Sequence, residues 1–257
     1  MIVIKSPDEI EHMRKAGRIV ATVLHELGNE IRPGVTTAGL DQIAAQVLRR
    51  EGAISPFKDY RPSPSHRPFP GNTCMSVNEE IVHGVPGSRA LKEGDILSVD
   101  CGASLNGWIA DSAWTFPVGE IDVAAQDLLD ATEQALYASI AVARAGSCTG
   151  DVSATMQLAV ESRGYNVIRQ HTSHGVGRAL HEDPQILNHG QSGKGPRLRS
   201  GMTIALEPMV LSGHYETELL DDAWTVASRD GKLTAHFEHT VAVSDSEPEI
   251  LTKLSGA

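Results

Sequence analysis

The strongest constraint on the fold is a pattern that occurs twice. The segment "IRPGVTT" (31 to 37) is similar to "ARAGSCT" (143 to 149). Arg32, Gly34, Thr37 and Gly52 match Arg144, Gly146, Thr149 and Gly164 at one constant offset. Each copy follows a long helical stretch and precedes strand-rich sequence. In the first copy Ser6-Pro7-Asp8-Glu9 opens the helix: Ser6 caps it, Pro7 suits the first turn, and Glu9 completes a capping box. Ile10, Met13, Gly17, Val20, Leu24 and Leu27 continue at helical spacing, and Pro33-Gly34 ends the helix near Ile31. A second helix is expected from about Ala38 to Arg50, stopping at Gly52. The long helix of the second copy runs from Val123 to Ala143. Helix ends reuse Gly and Thr as caps without any duplication, so four identities alone leave both explanations open. A duplicated α-plus-β unit would make one pseudo-symmetric domain over residues 1–257, because a solenoid needs at least three repeats.

Composition narrows the function. A formal charge of -11 and a pI near 5.4 argue against a phosphate-backbone binder, so no nucleic acid is expected as partner. Cys74, Cys101 and Cys148 are odd in number, scattered, and form no CxxC pair. They suggest a reducing compartment rather than a disulfide framework or zinc knuckle. The apolar run of "MIVIKSPDEI" ends at Lys5, too early for a signal-peptide core, and no stretch approaches a membrane span. A soluble cytoplasmic protein without a membrane partner is the expectation. Pro56 to Asn72, rich in Pro, Ser and Arg, reads as a long loop. Such a loop is either functional or, in its middle part from Arg61 to Arg67, a tolerated insertion.

The chemistry lies in acids set among apolar residues. Leu97-Ser98-Val99-Asp100 is a strand signal ending in a carboxylate, and Asp111 falls in a second strand-like run from Gly107 to Phe116. A hairpin would bring Asp100 and Asp111 together. In the second half Glu207, in "TIALEPMV", and Glu238, in "AHFEHTVAV", repeat the arrangement. Any single acid of this kind can be a strand end facing water. Four in matched pairs are costly to bury unless a cation offsets them. Carboxylate oxygens with an imidazole suit Mn, Fe, Co or Zn, and two ions bridged by carboxylates would neutralise the acids and activate a water.

Six segments then stand in register: "SVNEEIVHGVP" (76 to 86), "DILSVD" (95 to 100), "ADSA" (110 to 113), "SHGVGRALHEDP" (173 to 184), "GMTIALEPMV" (201 to 210) and "FEHTVAV" (237 to 243). Together, over nearly the whole chain, they resemble the type I methionine aminopeptidases. The resemblance implies an α/β (α+β) pita-bread fold, two pseudo-symmetric halves of antiparallel sheet covered by helices. It implies hydrolytic removal of the initiator methionine from peptides and nascent chains, with a small uncharged second residue preferred. It implies two divalent ions (Co, Mn, Fe or Zn) held by Asp100, Asp111, His174, Glu207 and Glu238. Asp111 and Glu238 would bridge, Asp100 would complete one site, and His174 with Glu207 the other. A monomer is implied, with the ribosome a candidate partner.

By the same resemblance His83 would bond the scissile amide or the next residue, His181 the substrate carbonyl, and Glu207 would shuttle a proton to the leaving amine. The pocket for the methionine side chain would be Tyr60, Phe69, Cys74, Leu180 and Trp224, an apolar lining suited to a flexible thioether. Leu180 stands where an aromatic is common, "DYRPSPSHRPFP" departs from the usual "GYHGYP", "WIADSA" lacks the usual His-Gly, and "DCG" replaces "DV". His171 aligns with no ligand, and His189, His214, His236 and His239 are expected to be structural or exposed. His239 follows Glu238 directly and so points to the opposite strand face, from which it can still support the site. Because residue 2 is the bulky Ile2, the chain's own Met1 is expected to be retained.

Three alternatives are weaker. A proline-specific peptidase of this fold usually carries an extra N-terminal domain, for which 257 residues leave no room. A type II methionine aminopeptidase carries a helical insertion, and the gap from His181 to Glu207 is short. A partner- or RNA-binding module derived from the fold would have lost ligands, whereas all five positions and both substrate histidines are present.

Overall fold

The computed structural model describes residues 1–254. Helix α1 (Pro7–Glu30) begins as its capping box predicts: Glu9 N–H donates to Ser6 Oγ, and Ser6 N–H returns to Glu9 Oε2 at 2.9 Å. Helix α2 (Thr37–Arg50) is capped by Thr36, whose hydroxyl accepts from Gly39 N. Strands β1 (Cys74–Val77), β2 (Glu80–Val82), β3 (Ile96–Leu105) and β4 (Trp108–Pro117) complete the first half. The second half repeats the order with α3 (Val123–Val142) and α4 (Thr149–Glu161). The short strands β5 (Asn166–Val167), β6 (Thr172–Gly175), β7 (Glu182–Leu187), β8 (Thr203–Leu206) and β9 (Met209–Leu211) follow. Last come β10 (Thr217–Leu219), β11 (Val226–Ser228), β12 (Thr234–His236), β13 (His239–Ala242) and β14 (Glu249–Ile250).

The sheets run β1-β3-β4, β10-β11-β2, β12-β9-β5 and β14-β13-β8-β6-β7, with antiparallel pairing throughout. In the first half α1 and α2 bury Val20, Leu27, Leu40 and Val47 against Leu97 and Val99 of β3. In the second, α3 and α4 bury Leu128, Leu136 and Val152 against Ile204, Phe237 and Val241. Each half therefore has its own core.

The duplication decides in favour of a repeated unit, down to single hydrogen bonds. Gly34 N donates to Leu91 O at 2.8 Å and Leu91 N to Val35 O; Gly146 N donates to Leu198 O at 2.9 Å and Leu198 N to Ser147 O. Gly94 N donates to Val118 O and Val118 N to Asp95 O, as Gly201 N donates to Val243 O and Val243 N to Met202 O. Gly34 and Gly146 sit at φ 88° and 95°, a region that glycine enters without steric cost. The matched positions are thus backbone requirements of one architecture used twice.

The halves meet along β4 and β13. Thr240 Oγ1 accepts from Asp111 N at 2.9 Å and donates to Asp111 O at 2.8 Å. Glu238 N donates to Ala113 O, and Ser112 Oγ donates to the Glu238 carbonyl. All four bonds are buried and fix the two acids across the seam. In the 56–72 loop Asp59 N donates to Phe69 O and Phe69 N to Tyr60 O, while Asp41 accepts four bonds from Asn72 and Thr73. Phe57 and Phe69 are buried by this pinning. The middle, from 61 to 67, is largely exposed, in contrast to the pinned segments on either side of it.

Candidate metal centre

Asp100 and Asp111 come from the β3–β4 hairpin, in which Asp100 faces Ala113 and Asp111 faces Gly102. Strand alternation sends both side chains to one face, so the predicted hairpin brings the acids together. The glutamates differ from their expected setting, because neither lies within a strand. Glu207 falls just after β8 and Glu238 just before β13. Pro208 has no N–H to give the ladder, and Glu238 N is turned to Ala113 of the other half. The register before and after the break is the same, His236 with Met209 and His239 with Leu206, which sets Glu207 opposite Glu238.

His174 lies on β6 beside β8, paired with Ala205. Its Nδ1 is 2.8 Å from the Gly175 carbonyl and its Nε2 is 3.6 Å from Glu207 Oε1. The carbonyl keeps the proton on Nδ1 and leaves the Nε2 lone pair bare, the form in which imidazole ligates a metal. Gly175 has a tight position: a Cβ there would lie 2.3 Å from the Asp183 carbonyl oxygen. The glycine lets β6 and β7 close behind the histidine.

Burial drives the electrostatics. It holds the Asp111 carboxyl up at about 7 and raises Asp100, Glu207 and Glu238 well above the carboxylate range, with repulsion among the four acids adding to the rise. Burial also holds His174 down to about 3, so it is neutral at pH 7. Asp100 Oδ1, Asp111 Oδ1 and Glu238 Oε1 are buried with no hydrogen-bond partner. Such groups are expensive to leave unpaired. One ligand atom each from Asp111, His174 and Glu238 lie within 4.8 Å of one another, as do those of Glu207, His236 and Glu238. Donors about 2.0–2.2 Å from one ion stand roughly 3–4 Å apart, so these spacings suit a divalent cation held by oxygen and imidazole.

The centre floors a cavity of about 670 Å³, and all twelve residues singled out in the sequence line it. On one wall Phe69 and Trp224 meet edge to face at 5.2 Å, with Leu180 and Cys74 nearby. Cys74 pairs directly with Asp100 across β1 and β3, and burial raises its thiol pKa well above the ordinary value. On another wall Tyr60 Oη is 3.0 Å from His181 Nδ1. His83, at φ 60°, places its ring 5.2 Å from that of His171. His171, unassigned from sequence, therefore lines the cavity. His239 bonds Thr252 Oγ1 at 2.8 Å through Nδ1 and does not line the cavity.

His236 was expected to be structural or exposed and is neither remote nor exposed. It is 2% exposed, lines the cavity, and holds Nε2 3.5 Å from Glu207 Oε2. The register reveals its place: His236 pairs with Met209 and His239 with Leu206, which sets Glu207 across from Glu238 beside it.

Two half-domains that clasp a buried carboxylate and imidazole centre at the foot of an open cavity define a metal-dependent hydrolase of the pita-bread fold. The particular family follows from comparison with known proteins. Residues 11–245 match the model of metallopeptidase family M24. Methionine aminopeptidase 1 of Bacillus subtilis is 48% identical over 254 residues, 99% of this chain and 100% of that protein. The methionine aminopeptidase of Clostridium perfringens is 45% identical, across 98% and 99% of the two chains. The crystal structure of methionine aminopeptidase from Thermotoga maritima superposes with a TM-score of 0.95 at 44% identity, covering 98% of this chain and 100% of that one. Prolidase from Pyrococcus furiosus shares the fold, with a TM-score of 0.79 at 21% identity over 66% of its own length. The chain belongs to the M24 metallopeptidases.

Proposed function

We infer that this chain is a metallo-exopeptidase that hydrolyses the N-terminal methionine from peptides and nascent proteins. The observation that carries this reading is one cavity in which unpartnered buried carboxylates lie beside an apolar wall of Phe69, Cys74, Leu180 and Trp224. The full-length similarity to methionine aminopeptidases supports it.

Asp100, Asp111, His174, Glu207 and Glu238 would hold two divalent ions drawn from Co, Mn, Fe or Zn. When bound, the ions polarise the scissile carbonyl and lower the pKa of a water to the neutral range. The protein's residues do the rest. The aromatic wall and Leu180 take the methionine side chain, whose thioether adapts to such a surface. Tyr60 is kept in its hydroxyl form by burial and donates to His181 Nδ1. That leaves the His181 proton on Nε2, where it stabilises the oxyanion developing at the carbonyl. His83 is kept neutral by burial and donates to the peptide on the far side of the scissile bond. Glu207 accepts the proton of the attacking water and delivers it to the leaving amine.

Residues 1–257 form one catalytic domain, active as a monomer in the cytoplasm, where nascent chains on the ribosome supply the substrate. Among the described residues no helix is long and apolar enough to cross a membrane. A small uncharged second residue is preferred, and Met1 of this chain, followed by Ile2, is retained. The test is competition between peptides: Mn(II)-loaded protein releases free methionine from Met-Gly-Met faster than from Met-Leu-Met and leaves an Xaa-Pro dipeptide intact. Faster turnover of the Xaa-Pro dipeptide would assign the site to the proline-specific members of the fold.

A further inference from the structure

A histidine beside a metal centre acts through whichever nitrogen its surroundings leave free, and the partner of the other nitrogen sets which that is. The Gly175 carbonyl holds the His174 proton on Nδ1. No such acceptor holds a proton on His236 Nδ1 among the described residues. His236 Nε2 is buried without a hydrogen-bond partner and faces two carboxylate oxygens, Glu207 Oε2 at 3.5 Å and Glu238 Oε2 at 3.9 Å. A bare lone pair there would be repelled by both oxygens, whereas an N–H would be attracted. The separation from Glu207 is just beyond a normal N–H···O bond, and the terminal torsion of a glutamate is broad enough to close it.

We infer that His236 is a positioning residue for Glu207. It donates Nε2–H to Oε2 and so keeps Oε1 on the side of His174, from which it lies 3.6 Å. The glutamate is thereby fixed to present one oxygen to the cation. The inference rests on the proposal that Glu207 is a metal ligand. A side-chain amide reaches a similar point with an N–H of its own, so glutamine is the conservative replacement and leucine the one that removes the donor.

The test is Mn(II) affinity, measured by calorimetry on metal-stripped wild type, Glu207→Gln, His236→Leu and His236→Gln. Loss of a hydrogen-bond partner to a ligand typically weakens metal binding about 10–100-fold. His236→Leu is expected in that range and His236→Gln within about threefold of wild type, as a kept donor requires. With Glu207→Gln weakened, an unchanged His236→Leu overturns the inference, and so does a His236→Gln as weak as the leucine variant. An unchanged Glu207→Gln overturns the ligand assignment itself and this inference with it. Electron spin-echo spectroscopy of the Mn(II)-loaded wild type is independent of whether the leucine variant folds. One coordinated imidazole, that of His174, is expected; two would make His236 a ligand instead of a donor and overturn the inference.

Discussion

Tyr60 Oη lies 3.0 Å from His181 Nδ1, and the two rings meet edge-on at a centroid separation of 5.5 Å. Burial raises the phenol pKa and lowers that of the imidazole, so a neutral hydroxyl meets a neutral ring. In the role proposed for His181, the hydroxyl donates to Nδ1 and so leaves the ring proton on Nε2 for the substrate. Tyr60→Phe removes a hydrogen bond of about 1 kcal/mol, which corresponds to roughly a fivefold fall in kcat if the bond acts in the transition state. Steady-state kinetics on Met-Gly-Met should show that fall with a smaller change in KM. An unchanged kcat would remove Tyr60 from the oxyanion side of the site.

Asp100 and Asp111 repel each other across the hairpin when no cation lies between them. Asp100→Asn should therefore abolish turnover yet raise the melting temperature of the metal-stripped protein at neutral pH, because the amide has no ionisation for folding to suppress. The increase in melting temperature produced by Mn(II) should shrink. Differential scanning fluorimetry with and without metal reads both effects, and a metal-stripped variant less stable than wild type would contradict the repulsion argument.

The metal-free protein should lose stability as pH rises above the ordinary histidine value of 6.5. Asp111, held up at about 7, and Asp100, Glu207 and Glu238, also raised, stabilise the fold while protonated and lose that contribution as pH passes their folded values. His83, His174 and His236, held down to about 3 from 6.5, act in the opposite sense, but only below 6.5. From there to about pH 8 the carboxylate contribution dominates. Saturating Mn(II) should remove the decline, since it favours the ionised acids. Thermal melts across this window would show it; a flat or rising curve without metal would count against it.

Gly175→Ala should destabilise the fold by about 1–3 kcal/mol, the usual cost of overpacking. The added Cβ would meet the Asp183 carbonyl oxygen at 2.3 Å and that of Glu182 at 3.0 Å. Those atoms are backbone, so β6 and β7 must part where the Gly175 carbonyl receives His174 Nδ1. Denaturant titration measures the first effect, and weaker Mn(II) binding should accompany it.

Much of this site was legible in the chain because burying a carboxylate is costly. Asp100 and Asp111 could be paired from strand alternation alone, and the repeat from glycines that must hold a positive φ. The break that takes Glu207 and Glu238 out of their strands was less visible. Pro208 marks one side of it, but the partner of Glu238 N lies on the other half of the chain. His236 between Ala235 and Phe237 reads as an ordinary interior residue until the register sets Glu207 across from Glu238. The Tyr60–His181 bond depends on a loop with no periodicity, pinned by bonds between Asp59, Tyr60 and Phe69 that no local pattern announces.

The most direct measurement is free methionine released from Met-Gly-Met by metal-stripped protein before and after Mn(II) or Co(II) is added, with Asp100→Asn in parallel. The predicted result is no release before addition, turnover after it, and none from the variant under either condition. Folded, metal-loaded wild-type protein that releases no methionine would contradict the assignment.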